Sequence, residues 1–190
     1  MRPACTVILL AAGQGTRFGA NKLLQTLADG TPMAVACART LQSVPAQCLA
    51  VVDDPQGAVA ELLADAGLQI VANPHAHAGM GTSIACGVAA SATAAGWIIA
   101  LADMPYVPAG VVRQVADRLA QGADLVAPVW HGRRGHPVGF AARHGPALQA
   151  LCDDRGARDI LDAHRNSLEL IETTDRGVII DIDTPAALVR

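Results

Sequence analysis

Val7-Ile8-Leu9-Leu10-Ala11-Ala12-Gly13-Gln14-Gly15-Thr16-Arg17-Phe18-Gly19-Ala20-Asn21-Lys22 decides how the rest of the chain is read. It opens as an apolar run of strand length with a β-branched start, the pattern of a strand buried on both faces of a parallel sheet. The run then breaks into a loop carrying Gly13, Gly15 and Gly19, with Arg17 and Lys22 interleaved. Glycines permit positive φ and close backbone approach, so N–H groups can converge on an anion. Arg17 adds a planar fork for phosphate oxygens, and Lys22, the single lysine of the chain, a compact charge. A buried strand feeding such a loop predicts a nucleoside triphosphate site. Neither common glycine motif fits it. The second gap is one residue too long for G-x-G-x-x-G, and Lys22 is followed by Leu23 where a P-loop needs Ser or Thr.

Outward from this stretch, strand-like and helix-like segments alternate with short connections. Thr31-Pro32 reads as an N-cap and a first helical position, starting a helix over 33–41. Strands are predicted over 48–52, 68–72, 97–102 and 124–129, and helices over 56–66 and 108–121. A further helix, capped by Thr82 or Ser83, is predicted to run to about residue 94. Such alternation implies a parallel sheet. The expected fold is one α/β domain over residues 1–190, Rossmann-like, with a mostly parallel, mixed central sheet flanked by helices.

Composition narrows the function classes. A net charge of −3 argues against a nucleic-acid surface, which needs a basic stripe. No apolar run approaches the ~18 residues of a membrane span, so a cytoplasmic protein is expected. Five cysteines stand singly at Cys5, Cys37, Cys48, Cys86 and Cys152, without a C-x-x-C pair. They are expected to be buried, reduced thiols.

Three later segments carry chemistry. Gly79-Met80-Gly81-Thr82-Ser83 places glycines before a helix N-terminus, a second anion-ready arrangement. His75 and His77 just before it read as a solvated loop, since no third metal ligand stands nearby. Asp103 ends the apolar run 97–102, where α/β folds place their ligands, and Pro105 stops the strand so that the carboxylate projects into the crevice. A hard Mg²⁺ ion takes one or two carboxylates plus substrate phosphates. Asp181 and Asp183 alternate with apolar residues in a last predicted strand over 178–183, and Asp183 stands nearest its end. Arg133-Arg134-Gly135-His136 is a loop that either stays solvated or grips an anionic acceptor, with His136 as orienting donor or general base.

Four of these motifs, in order, resemble the MobA-like nucleotidyltransferases, and among them the molybdenum cofactor cytidylyltransferase group. Leu10-Ala11-Ala12-Gly13 through Lys22 is similar to that family's signature loop L-A-A-G-x-x-x-R-x-G-x-x-K. Gly79-Met80 with Ser83-Ile84 is similar to its G-M-x-x-S-[IL] segment, Leu101-Ala102-Asp103-Met104-Pro105 to its metal-binding L-x-D-M-P, and Asp181-Ile182-Asp183-Thr184-Pro185 to its D-I-D-T-P. Arg133 to Val138 resembles the R-x-G-H-P-V acceptor motif. Residues 154–161 resemble a G-x-R-x-[IL]-[IL] helix whose role is equally well that of a structural helix start.

The resemblance implies Mg²⁺-dependent transfer of CMP from CTP to the phosphate of a molybdopterin-type cofactor, with release of pyrophosphate. It implies Leu10, Ala11, Ala12, Gly13, Gly15, Arg17, Lys22, Gly79, Gly81 and Ser83 around the nucleotide. Gly135 and His136 would face the acceptor, and Asp103 with Asp183 would hold the metal. Arg17, Lys22, Asp103 and His136 would carry the chemistry. A molybdenum hydroxylase or its chaperone is the implied partner. Ala12 favours cytosine because guanylyl relatives tend to have L-A-G-G there. Guanylyl transfer, a sugar-phosphate or alcohol-phosphate acceptor, and a non-catalytic nucleotide or cofactor handover protein are the alternatives.

Overall fold

A computed structural model describes residues 5–13 and 21–183. The apolar run forms β1 (Thr6–Leu10), buried along its whole length. Its side chains divide by the two-residue period of a strand. Val7 and Leu9 enter one core cluster with Met33, Ala38, Val52 and Val112, while Ile8 and Leu10 enter a second with Ile84, Val88, Phe140 and Leu148. A strand clad on both faces has no polar side to show, which is why the run is uninterrupted.

β1 pairs in parallel with β2 (Gln47–Val52) on one edge and β4 (Gly96–Leu101) on the other, and β3 (Gln69–Ala72) extends the sheet beyond β2. Next to β4, β7 (Val138–Ala141) runs antiparallel and is followed by β5 (Leu125–Trp130). The short β6 (Arg133–Arg134) pairs with the end of β5, and β8 (Leu168–Glu172) lies parallel to β5. The result is an eight-stranded mixed sheet. Helices α1 (Met33–Leu41), α2 (Ala58–Asp65) and α4 (Ala109–Ala120) supply apolar side chains to the first cluster. Helices α3 (Met80–Ala90), α5 (Gly145–Gln149) and α6 (Arg158–Ala163) supply the second. Among the described residues, no helix is long and apolar enough to cross a membrane.

The sequence expectations need correction in four places. Pro32 is the residue before α1 rather than its first residue, and Thr31 does not cap it. Pro32 instead pairs with Thr26 in an isolated bridge, an extended conformation that delays the helix. Helix α3 stops at Ala90 because Ser91 leaves helical geometry, its hydroxyl accepting from Trp97 Nε1 at 3.0 Å and donating to the Gly87 carbonyl at 2.8 Å. The cysteines are all free, but only Cys37 is buried; Cys5, Cys48 and Cys86 are half-buried and Cys152 is exposed. Burial pushes the Cys37 thiol up to about 12.

The fourth correction concerns 178–183, which is not a strand. Asp175 accepts from the Gly177 amide at 2.7 Å and fixes a 3₁₀ turn over Arg176–Ile179. The chain then forms a strap. Val178 accepts from the His136 amide at 2.8 Å, and the Ile182 amide donates to the Asp103 carbonyl at 2.9 Å. Ile182 is fully buried between exposed Asp181 and Asp183, so the alternation survives without a ladder. The capped helix that the sequence through Thr184-Pro185 predicts next lies outside the described residues.

Candidate active site

Two adjacent strand ends and the strap build the polar centre. The Ala102 amide donates to the Leu10 carbonyl at 3.1 Å, so the chain leaving β4 follows the chain leaving β1 before it turns at Asp103. Asn21 accepts from the Leu23 amide at 3.1 Å and starts the short turn Lys22–Leu24, which carries the lysine over this edge. Lys22 Nζ then donates to Asp103 Oδ2 at 2.8 Å and to Asp183 Oδ1 at 2.9 Å. Three charged groups 80 and more residues apart thus meet at one point.

Burial alone would lower the pKa of Lys22, but the hydrogen bonds and charges of Asp103 and Asp183 outweigh it and hold the pKa above its ordinary value. The ammonium therefore stays charged. Asp103 Oδ1 is buried without a hydrogen-bond partner among the described residues. A buried carboxylate oxygen left bare is costly. Two carboxylates meeting at one point are also a donor set suited to a hard divalent cation. The residues fit such an ion.

A cleft of about 530 Å³ opens beside this centre, its lining including Leu10, Ala12, Gly13, Lys22, His77, Gly79, Met80, Ser83, Asp103 and Asp154. A second cleft, of about 430 Å³, is lined by Arg134, Gly135, His136, Arg155 and Arg158 over an apolar floor that includes Ile84 and Phe140. Met80 and Asp154 border both, so the clefts are neighbours. His136 belongs to the second cleft, and Asp103 is close enough to act on its charge. Burial pushes its pKa below the ordinary histidine value; the Asp103 charge pulls the other way without cancelling it. His136 is thus a neutral imidazole near pH 7, with Nδ1 buried and unpaired among the described residues.

The glycines of 79–83 act differently from expectation. Gly79, at φ 124°, makes the turn into α3, and a Cβ there would lie 2.6 Å from the Asp153 carbonyl carbon. Gly81 packs as closely, its Cβ position 2.7 Å from the Asp153 carbonyl oxygen, and its amide donates to that oxygen at 2.8 Å. The Met80 amide faces Asp154 Oδ1 at 3.5 Å. The first amides of α3 are therefore taken by the 153–154 segment, and Gly81 does not line the cleft. Thr82 and Ser83 lie inside the helix rather than capping it. Asn73 Nδ2 donates to both hydroxyls at 2.9 Å, and Thr82 Oγ1 donates to the Gly79 carbonyl at 2.8 Å.

Of the residues singled out in the sequence, Leu10, Ala12, Gly13, Lys22, Gly79, Ser83 and Asp103 gather on the first cleft, with Asp183 joined to it through Lys22. Gly135 and His136 gather on the second. Ala11 does not line a cleft; its side chain packs in the core and its amide donates to the Val51 carbonyl at 2.8 Å. Gly15 and Arg17 lie outside the described residues. His77, Met80 and Asp154 were missed as lining residues. Asp154 opens the 154–161 segment, which reads equally well as a helix start, and nothing in its spacing points to a cleft.

A mixed α/β sheet carries a lysine–carboxylate centre at the carboxyl ends of β1 and β4 with two adjoining clefts beside it, the region where α/β domains bind their ligands. Residues 7–168 match the MobA-like NTP transferase domain, and the chain belongs to that family of nucleotidyltransferases. It is 30% identical over an alignment of 199 positions to the nicotine blue oxidoreductase of Paenarthrobacter nicotinovorans, covering 99% of this chain and 96% of that one. It is 38% identical over 164 positions to the molybdenum cofactor guanylyltransferase of Burkholderia ambifaria, covering 82% and 76%. Its fold matches Rv0371c of Mycobacterium tuberculosis with a TM-score of 0.81 at 22% identity, covering 98% and 96%. A structure of Rv0371c in complex with manganese gives 0.80, again at 22% identity, covering 97% and 95%.

Proposed function

We propose that this protein transfers CMP from CTP to the phosphate of a molybdopterin-type cofactor and releases pyrophosphate. The observation that carries the transfer reading is the Lys22–Asp103–Asp183 centre on the first of two adjoining clefts. An anionic acceptor must approach an anionic α-phosphate, so catalysis is mostly charge neutralisation and positioning. The triphosphate lies in the first cleft, whose lining includes Gly13 and Lys22, and the family resemblance adds Gly15 and Arg17 as phosphate contacts. Asp103 and Asp183 would hold a divalent cation, Mg²⁺ by the hardness of their oxygen donors, and its chemistry there would be neutralisation of phosphate charge. The acceptor phosphate enters from the second cleft and attacks directly, so no side-chain nucleophile is needed. His136, neutral near pH 7, orients that phosphate or takes its proton.

The acceptor assignment is supported by likeness to a molybdenum cofactor guanylyltransferase, and the base by Ala12 alone, which lines the cleft where guanylyl enzymes tend to carry glycine. A molybdenum hydroxylase or its chaperone would receive the product. The test is pyrophosphate release from a panel of CTP, GTP, ATP and UTP, with and without purified molybdopterin cofactor and with Mg²⁺ or Mn²⁺. CTP should exceed GTP by about tenfold or more in kcat/KM, ~1.4 kcal/mol of discrimination. Preference for GTP would replace the base and keep the reaction. Absence of acceptor-dependent pyrophosphate release with every nucleotide would refute transfer to a molybdopterin-type cofactor. Oxidation of a reduced nicotinamide dinucleotide is measured alongside, because one relative of matching length bears an oxidoreductase name.

A further inference from the structure

We infer that β8 is the docking edge for a second copy of this chain, the two strands pairing antiparallel about Leu170 so that two sheets become one. β8 ends the sheet: it lies parallel to β5, and among the described residues no other strand pairs with it. The ladder to β5 also decides which backbone groups stay open. The Thr173 amide donates to the Val129 carbonyl at 3.0 Å and so points towards β5. Along a strand, the amide and carbonyl of one residue share a side, and the next residue turns its own to the other. Glu169 and Ile171 therefore bond towards β5, while Leu168, Leu170 and Glu172 turn theirs outward.

The side chain at the middle of this edge has no other use. Among the described residues two large apolar side chains are exposed, Met80 and Leu170, and Met80 borders both clefts. Leu170 is 53% exposed, belongs to neither core cluster and lines neither cleft. An open edge is a template for one more strand. Its own symmetry favours a copy of itself as that strand. Three outward residues spaced two apart match their own inverted set: Leu170 faces the partner's Leu170 across a two-fold axis, and Leu168 faces the partner's Glu172 on either side of it. Each of these pairs exchanges two backbone hydrogen bonds. On the opposite face Glu169 comes against the partner's Ile171. No acid lies opposite an acid, a like-charge pairing that would destabilise the edge. The Glu172 end of one strand instead meets the start of the other, just after exposed Arg165. The far edge of the sheet is a poorer template. The Asn73 amide donates to the Val52 carbonyl, so in β3 only Ile70 and Ala72 turn outward.

One short strand per copy makes a small interface, below the roughly 1,200 Å² of stable complexes, so the dimer should form and part with concentration. The test is sedimentation velocity of the full chain over a range of concentrations, with no nucleotide or acceptor present. The wild type should pass reversibly from monomer to dimer and stop there. Leu170→Lys and Leu170→Glu should each weaken association at least about tenfold, because a charge on the axis meets its own copy. Mixed in equal amounts, the two variants should recover a dimer holding one of each, since an ammonium then faces a carboxylate. Residue 170 is exposed, so both variants should fold as the wild type does, which thermal unfolding checks. A wild type that stays monomeric at every concentration overturns the inference, as do variants that dimerise unchanged or a mixture no more associated than its components. Assemblies that grow past the dimer overturn it too, because β8 of one copy on β3 of the next makes a contact that never closes.

Discussion

Replacing Lys22 by alanine should move two measurements in opposite directions. Its ammonium makes two charge-assisted hydrogen bonds, at 2.8 Å to Asp103 and 2.9 Å to Asp183, with 13% of its side chain exposed against 23% and 56% for its partners. Each such bond is worth about 1.5–3 kcal/mol when shielded. The Asp183 contact is open to water and is discounted to about 0–1 kcal/mol. The fold should therefore lose about 1.5–4 kcal/mol, enough to lower Tm by several degrees without unfolding the protein. Two carboxylates would then face each other without a cation between them, a like-charge arrangement that draws in a divalent ion. Binding of Mn²⁺ in the absence of nucleotide, counted by electron paramagnetic resonance, should tighten by about tenfold or more. Turnover should go the other way. Charge on the α- and β-phosphates grows as pyrophosphate leaves, and a fixed ammonium meets it without reorganisation, so kcat should fall by about 10²–10³. CTP affinity should fall much less, by ~1–3 kcal/mol at most, the scale of one charged hydrogen bond. Unchanged Mn²⁺ affinity would refute the view that Lys22 holds the metal carboxylates. Equal losses in CTP binding and in kcat would refute its role in the transition state and favour a handover protein.

Asp103→Asn should keep the fold, abolish tight Mn²⁺ binding and cut turnover by about two orders of magnitude or more; full Mg²⁺-dependent turnover in the folded variant would remove Asp103 from the mechanism. Gly81→Ala would drive a Cβ to 2.7 Å from the Asp153 carbonyl oxygen and displace the segment that carries Asp154, costing about 1–3 kcal/mol in chemical denaturation; an unchanged midpoint would show that the segment yields freely. Burial would raise the pKa of Asp124, but hydrogen bonds from Arg143, Ser167 and His144 overcome it and hold the carboxyl at about 2. Its unfolded value is near 3.9, so its stabilising contribution is complete above about pH 4 and is lost as pH falls through about 2. Thermal unfolding from pH 7 to 2 should show that loss in the wild type and a flatter acid limb in Asp124→Asn.

The sheet was legible because its signals are local. Val7 to Leu10 must be apolar on both faces, and Asp103 stands in the turn just past the end of β4, so each residue announces its position in its own neighbourhood. Residues 178–183, where Asp181 and Asp183 alternate with apolar neighbours, misled, because alternation reports which side chains are buried and not what the backbone bonds to. Ile182 is buried by the end of the sheet, and its amide is satisfied by the Asp103 carbonyl alone.

That strap is also why the site could be listed but not assembled from sequence. Asp183 meets Lys22 next to the point where Ile182 is tied to Asp103, and the His136 amide bonds Val178 on the same strap. One irregular segment thus sets the relation between the two clefts: its Ile182 end fixes the carboxylate centre of the first, and its Val178 end fixes the imidazole of the second. Gly135 shows how tightly. A Cβ there would stand 2.2 Å from the Val178 carbonyl oxygen, so only glycine lets the strap lie against the loop before His136. Gly135→Ala should consequently disturb both clefts at once, lowering affinity for CTP and for the acceptor together. A Gly135→Ala protein that binds both ligands as the wild type does would separate the clefts and remove the strap as the link between them.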